Sequence, residues 1–378
     1  MDRKQRIIFF CISFFFVSSV IVALNNVPVL NWYVKDISVD DTVGMGKKGD
    51  IYVRGKTEKT LYAFNQIGKK LWEYKLHQAQ IGVPFIRKEG NIYITVTEFK
   101  ENKNYIVMLS SDKGQVEWKT ELPSVSLWTH WLHNLTAASD GTVYLVADTK
   151  LISLDRNGKI LWSSEFAALP SPGTPALSPD EKIVYVYRRN KGGLYAINND
   201  GTLKWKKTEE YFSNASPPVI GINGDVYIAD GNTESVYAFN SSGQIRWRRH
   251  FPGKLLHDTY PVVGEDGVVY FQVNEDNKNG MIYSLKPENG KVNWSFPITG
   301  GILASSVLIS KKGVLYYPAP DGHIYCLNLS GKLLWKYDAL KNSEKRPYVP
   351  FSSFPAFYNG NFYIIAADER LLSIRVEE

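Results

Sequence analysis

The sequence predicts an all-β fold, an eight-bladed β-propeller of four-stranded antiparallel blades, on three observations. Eight tryptophans (Trp32, Trp72, Trp118, Trp162, Trp205, Trp247, Trp294 and Trp335) follow one another at intervals of 40, 46, 44, 43, 42, 47 and 41 residues, and a period of this size marks a repeat architecture. Short runs ending in an apolar residue and Tyr alternate with polar turns, which is the period of antiparallel sheet and not of helix. The two ends of the chain are also complementary, each lacking what the other carries.

Each unit opens with a Gly turn and a strand: Gly49–Tyr52, Gly90–Tyr93, Gly141–Tyr144, Gly224–Tyr227, Gly267–Tyr270, Gly313–Tyr316 and Gly360–Tyr363. The fourth unit keeps Ile183-Val184-Tyr185 but has Lys182 where an adjacent Gly would be sought. A second strand follows, such as Leu61–Phe64 or Val236–Phe239, then a Gly turn and an outer strand bearing Trp. Seven of the tryptophans have Gly four positions earlier: Gly68, Gly114, Gly158, Gly201, Gly243, Gly290 and Gly331. Tight hairpins need the positive φ that Gly supplies, and Trp offers a broad surface for packing one blade on its neighbour.

Trp32 has Pro28 at that position, and the last unit, Tyr363 to Ile374, runs out before a Trp of its own. Pro lacks the donor a hairpin turn wants, so the strand around Asn31–Tyr33 is expected to supply the outer strand of the C-terminal blade. That pairing closes the ring at eight blades and hides its free edges.

Composition agrees. Of 378 residues 44% are hydrophobic and 22% charged, which excludes a disordered chain, and aromatics reach 13%, a bias that favours strands. The net charge of +6 is partly supplied by Arg3, Lys4 and Arg6. The remaining basic residues, such as Lys69-Lys70, Lys206-Lys207 and Arg248-Arg249, flank the repeated Trp as on a solvated outer strand, so no nucleic-acid partner is expected. Cys11 and Cys326 form no disulfide framework, and Cys326 reads as a small core residue.

Residues 1–27 read as a signal peptide or membrane anchor ahead of a propeller spanning 28–378. Ile7 to Leu24 is an uncharged run of 18 residues behind a basic start, near the lower limit for a spanning helix and longer than most signal cores. Ala23 with Ile21 two before it is a poor cleavage site, so an uncleaved hydrophobic helix is favoured. The basic flank keeps the N-terminus cytoplasmic and exports the body; secretion is the alternative.

At the repeated segments the chain resembles the PQQ-repeat (quinoprotein alcohol dehydrogenase-like) propeller family, whose docking motif is Ala-x-Asp-x-x-Thr-Gly-x-x-x-Trp. Ala63 to Trp72, Ala196 to Trp205 and Ala238 to Trp247 match it one residue short, with Asn65, Asn198 and Asn240 in place of Asp. Met108 to Trp118 and Ser284 to Trp294 have full length without the Ala. The resemblance covers about residues 28 to 376 and implies eight blades. It also implies either a quinone-dependent dehydrogenase or a cofactor-free propeller like the lipoprotein of the outer-membrane β-barrel assembly machinery. The enzymes of the family carry a calcium site, a catalytic Asp and often a Cys-Cys pair. This chain has no Cys-Cys, and no residue set takes over the catalytic site, so the resemblance points to the non-enzymatic branch, with no cofactor expected and PQQ not favoured.

Candidate sites are few. Asn274–Gly280 superficially alternates oxygen donors, but Lys278 occupies a ligand slot and Leu285 the place of the closing Glu, so a hairpin is expected and no metal site. His130 and His133 sit at i, i+3 without a zinc pattern, and no catalytic Ser/His/Asp order is present. The segments that cross from one blade's outer strand to the next blade's inner strand carry a polar, aromatic set: Trp128, His130, Trp131 and His133; Asn214; His257 and Asp258; Arg346 and Tyr348. Loops on a rigid scaffold collect binding residues, so these nine are the candidate rim, the alternative being that they merely pack it. The resulting expectation is a monomeric, membrane-tethered, extracytoplasmic scaffold that binds a protein or peptide of the cell envelope. The alternative is a PQQ- or carbohydrate-binding protein or enzyme using the mouth of the channel.

Overall fold

In the computed structural model the described residues are 28–37, 42–87, 90–123, 135–147, 149–165, 174–188, 193–208, 215–253, 259–275, 279–300, 307–341, 343, 351 and 354–376. Among them the strands pair into eight antiparallel sheets. Blade 1 is built from Gly44–Met45, Ile51–Arg54, Thr60–Phe64 and Lys70–Lys75. Blades 2 to 7 follow in chain order over 79–121, 135–165, 176–207, 219–250, 262–299 and 308–338. Blade 8 joins Ala356–Tyr358, Asn361–Ala366 and Arg370–Arg375 to the first strand of the chain, Val29–Val34. Val29 faces Arg375, and Val34 faces Leu371. Closure by the two ends is therefore as expected. Blades 8 and 1 are also joined by a parallel bridge of Thr42 to Phe354 and by Val43 N donating to Phe354 O at 3.2 Å.

Successive strands of a meander run in opposite directions, so each blade's first and third turns lie at one end of the ring, here the hairpin face. The middle turn of each blade and the crossings between blades lie at the other end, the crossing face.

One clamp recurs around the ring. Seven of the eight repeat indoles lie over the third-turn Gly of the following blade and donate the Nε1 hydrogen to a carbonyl in that turn. The pairs are Trp32 to Gln66, Trp72 to Ser111, Trp118 to Arg156, Trp162 to Asn199, Trp205 to Ser241, Trp247 to Pro287 and Trp294 to Leu329, all at 2.7–3.0 Å. A Cβ on Gly114 would lie 2.4 Å from Trp72 Cε3. The turn glycine is thus required twice, by its positive φ and by the indole above it. Behind the indole stands the Tyr of the same blade's second strand. Tyr52, Tyr93, Tyr144, Tyr185, Tyr227, Tyr270, Tyr316 and Tyr363 are 0–2% exposed, and each pairs with its own blade's Trp at ring-centroid distances of 5.7–6.0 Å. Tilted aromatic pairs at this separation add to the stabilisation from burial. Where blade 7 meets blade 8 the two chain ends stand in place of that turn, and Trp335 packs in the cluster holding Leu30, Ile374 and Val376.

Every outer strand carries a bulge at the residue before its Trp; Leu71 and Leu161, for example, have no partner in the register. A bulge re-aims the side chain beside it. Here it leaves two successive residues facing solvent and turns the indole towards the next blade, giving burial patterns such as that of Lys70–Lys75. The basic residues beside Trp72 and Trp247 are exposed there.

Three local features depart from the repeat. Blade 2 is five-stranded because its inner strand is split into Ala79–Ile81 and Phe85–Ile86. Gly82 in the gap approaches Thr95 too closely for any side chain, and Pro84 has no donor for a ladder. In blade 4 the first turn, where the sequence offers Lys182 and no Gly, places Glu181 at φ 56°. Its carboxylate accepts from Ser139 N and Oγ of blade 3, charge-assisted bonds that offset a left-handed residue. Asn274 pairs with Gly280, and Glu275 N donates to Asn279 O, as in a hairpin; residues 276–278, including Lys278, lie outside the described residues. Cys326 is buried in the core. Among the described residues no helix is long and apolar enough to cross a membrane; the expected signal or anchor, residues 1–27 with Cys11, lies outside them.

Two predictions follow from the clamp. Gly114→Ala should lose about 1–3 kcal/mol more than Gly224→Ala in denaturant unfolding, because the latter position, at φ +80°, offers open space to 4.0 Å; equal losses would remove the indole contact as the cause. Burial, with Asp180, Asp225 and Asp266 nearby, pushes the Tyr185, Tyr227 and Tyr270 phenols up to about 12. Their share of stability is complete below the unfolded value near ~10 and is lost as pH rises through 12, so tyrosinate absorbance from these residues should appear only with alkaline unfolding.

Candidate binding face

The nine candidate rim residues, Trp128, His130, Trp131, His133, Asn214, His257, Asp258, Arg346 and Tyr348, all lie outside the described residues, on the crossings. The structure describes what holds those crossings at both ends. Leu122 N donates to Asn104 O at 2.8 Å before the first crossing, and Leu135 is buried against Leu145 after it. Beyond Asn214, Ala215 N donates to Tyr187 Oη at 2.8 Å, and Ser216 exchanges bonds with Ala229 in both directions. After Asp258, buried Thr259 donates Oγ1 to Gln272 O at 2.9 Å. The next residue, Tyr260, sets its ring edge-on to Phe354 with centroids 5.3 Å apart. Beyond Tyr348, Phe351 is fully buried and bridges to Ala366.

Between the crossings the middle turns carry buried polar clusters. In blade 5, Asp230 is 0% exposed, and its Oδ2 accepts from Thr233 N at 3.0 Å and Thr233 Oγ1 at 2.7 Å. Tyr237 Oη donates to Thr233 Oγ1. Arg248 donates Nε to Ser235 Oγ at 3.0 Å and lies over the Tyr237 ring. In blade 1, fully buried Arg54 donates Nη1 to Ile81 O of blade 2 at 3.1 Å and pairs with Glu58, which also accepts from Gln80. A buried guanidinium without such partners would cost several kcal/mol. In blade 8, Asp368 accepts from Arg370 Nε at 2.7 Å and from Ser343 Oγ, and Arg370 lies over Tyr33.

Blade 7 holds a further cluster, centred on Asp321. Burial would raise the Asp321 carboxyl, but hydrogen bonds from Lys336 Nζ at 2.9 Å, Tyr325 Oη at 2.7 Å and His323 N at 3.0 Å outweigh it and hold the carboxyl below the usual carboxylate range.

Sequence reasoning passed over these turns. Their signal is a charge at the end of an otherwise apolar strand, as in Ile51–Arg54, Ile183–Arg188 and Val226–Asp230, which reads as the start of a solvated loop until burial is known. Chemically the face offers fixed donors and acceptors of both signs among aromatic rings. Among the described residues no three His, Cys, Asp or Glu side chains converge as metal ligands. A cleft of about 200 Å³ lies between His77 and Gln78, which link blade 1 to blade 2, and Glu98, Lys100 and Glu101 of blade 2, below the ~300–1,000 Å³ of small-molecule sites.

The chain matches the family described as outer membrane protein assembly factor BamB over residues 30–168, 102–220 and 190–378. Among solved structures it is similar to BamB from Moraxella catarrhalis (TM-score 0.65, 14% identity, 93% of this chain and 98% of that one). It is similar also to virginiamycin B lyase from Staphylococcus aureus (TM-score 0.54, 13% identity, 93% and 100%) and to a chain of the mitotic checkpoint complex (TM-score 0.54, 10% identity, 93% and 96%). At these identities the likeness is one of fold. No curated protein sequence matches it.

Asp321→Asn should lower stability at neutral pH by about 1–3 kcal/mol. A depressed carboxyl contributes fully above its unfolded value near ~3.9 and loses that contribution as pH falls through its folded value. The difference between Asp321→Asn and the parent in urea unfolding should therefore narrow below about pH 4; a difference independent of pH would assign Asp321 no ionised role.

Proposed function

Because the chain belongs to the outer membrane protein assembly factor BamB family, we propose that it is an extracytoplasmic, membrane-tethered scaffold that binds a protein or peptide partner through its crossing face. The observation carrying this reading is that each crossing with candidate rim residues re-enters the ring through an anchored point, at Leu135, Ala215, Thr259 and Phe351. Anchoring of this kind lowers the ordering cost of binding, and rim aromatics such as Trp128, Trp131 and Tyr348 are the residue types that dominate protein interfaces. The uncharged run Ile7 to Leu24 supports the tether. The fold alone does not choose a function, since a lyase is built on a similar ring; the choice rests on the family and on the character of this face.

Placing a photo-crosslinking residue at Trp131 in the full chain, in its own cell envelope, should capture a discrete protein partner. The same residue at Ile222, exposed on the hairpin face, should not. Trp131→Ala with Asp258→Ala should reduce partner recovery at least tenfold, about 1.4 kcal/mol. Equal capture from both faces, or none from Trp131, would refute the assignment.

A further inference from the structure

We infer that one sector of the hairpin face, formed by blades 7, 8 and 1, is a docking surface for an anionic lipid bilayer. The inference rests on the tether proposed above and adds to it the orientation of the ring. The exposed large apolar side chains of the described residues are not spread evenly over the molecule: apart from Tyr33 and Phe99, all lie at or near the hairpin end of their blades. Six fall in three adjacent blades. Blade 7 contributes Leu329, Leu333 and Leu334; blade 8 contributes Val29; blade 1 contributes Leu71 and Ile67, which is 75% exposed at the tip of its turn. Val116, Ile160, Leu161, Leu203, Ile222 and Ile245 continue the apolar character around blades 2 to 5, so the hairpin end as a whole has the composition of an interaction surface, and chain entry and charge select the sector within it.

The chain itself indicates the occupant. Val29 pairs with Arg375 at the hairpin end of blade 8, so the chain leading back to the uncharged run Ile7–Leu24 leaves the ring from the middle of this sector. A helix anchored there would hold this edge, and not the crossing face, next to the membrane.

Charge selects the kind of bilayer. Lys47, Lys48 and Lys69 are exposed on the blade 1 turns, Lys311 and Lys332 on those of blade 7, and Arg375 in blade 8. On the opposite side of the ring the turns of blades 3 and 4 use acids. Asp155 Oδ1 caps its turn by accepting from Asn157 N and Lys159 N, both at 2.9 Å. In blades 1 and 7 neutral Asn65 and Asn328 make the same two bonds, to Ile67 N and Lys69 N and to Ser330 N and Lys332 N. Neutral Asn240 of blade 5 makes them too, so the turn works with either side chain; what sets the turns of blades 3 and 4 apart is the added acids Asp140, Asp180, Glu181 and Asp200. Lysines beside apolar side chains are the composition of a surface that inserts shallowly among anionic headgroups.

The test uses the full chain carrying Cys11→Ser, with buried Cys326 kept, in vesicles of phosphatidylcholine and phosphatidylglycerol. An environment-sensitive fluorophore is attached in turn to Ile67→Cys, Leu329→Cys, Leu203→Cys (blade 4, across the ring) and Phe99→Cys (crossing face), with a quencher lipid in the bilayer. Quenching at positions 67 and 329 but not at 203 or 99 is expected. Lys47→Glu with Lys69→Glu should cut that quenching at least severalfold, and raised salt should do the same. Flotation after alkaline washing reports the tether separately. A chain that floats with positions 67 and 329 unquenched leaves the tether standing and overturns the docking surface. A chain that does not float overturns both, and quenching unaltered by the charge reversals overturns the anionic selectivity.

Discussion

The structure depends on one contact, made at seven of the eight blade junctions: the indole of one blade laid on a glycine turn of the next and hydrogen-bonded to a carbonyl there. A four-stranded blade exposes two faces that it cannot bury by itself, and the clamp fixes how far apart and at what angle neighbouring blades stand. The surrounding features serve it. The bulge before Trp aims the ring, the absent side chain of Gly114 admits it, and the buried Tyr52 or Tyr227 backs it. The clamp sits at the hairpin end of the blades, so the crossing end carries none of this constraint, and crossing segments can lengthen there, as between Leu122 and Leu135, without disturbing the ring.

Much of this was legible in the sequence because the clamp uses rare residues at repeated positions. Trp with Gly four residues earlier, seven times in phase, identifies the unit, and Pro28 before Trp32 betrays the strand borrowed by the last blade. The partner of each Trp was not legible. Spacing suggests that the Gly four residues away belongs to the same contact, whereas that Gly shapes the turn for the preceding blade's indole, as Gly68 does for Trp32. Nor could spacing reveal that Glu181 would take a left-handed conformation, since the compensating bonds come from Ser139, 42 residues away. The candidate rim was placed on crossings by the meander topology alone, and the buried turns beside it, with Arg54 and Asp230, were missed because a charge at a strand end looks the same whether solvent or another blade receives it.

The two ends of the ring thus differ in kind. Among the described residues the crossing end carries both signs of charge and buried polar networks, such as those around Arg54, Asp230 and Asp321. The hairpin face is regular, dominated by turns, and in one sector apolar and basic. Chain entry at Val29 thus lies at one end of the ring and the crossings between blades at the other.

Closure of the ring by both ends orders events during synthesis. Val29–Val34 emerges first but has no partner until Arg370–Arg375 is made, which at about 5–20 residues per second means tens of seconds. Throughout that interval a strand with aromatic side chains waits unpaired, a template for wrong neighbours. Attachment of its upstream end to the translocation site or the bilayer would keep that strand apart from other nascent chains until the final segment arrives to claim it.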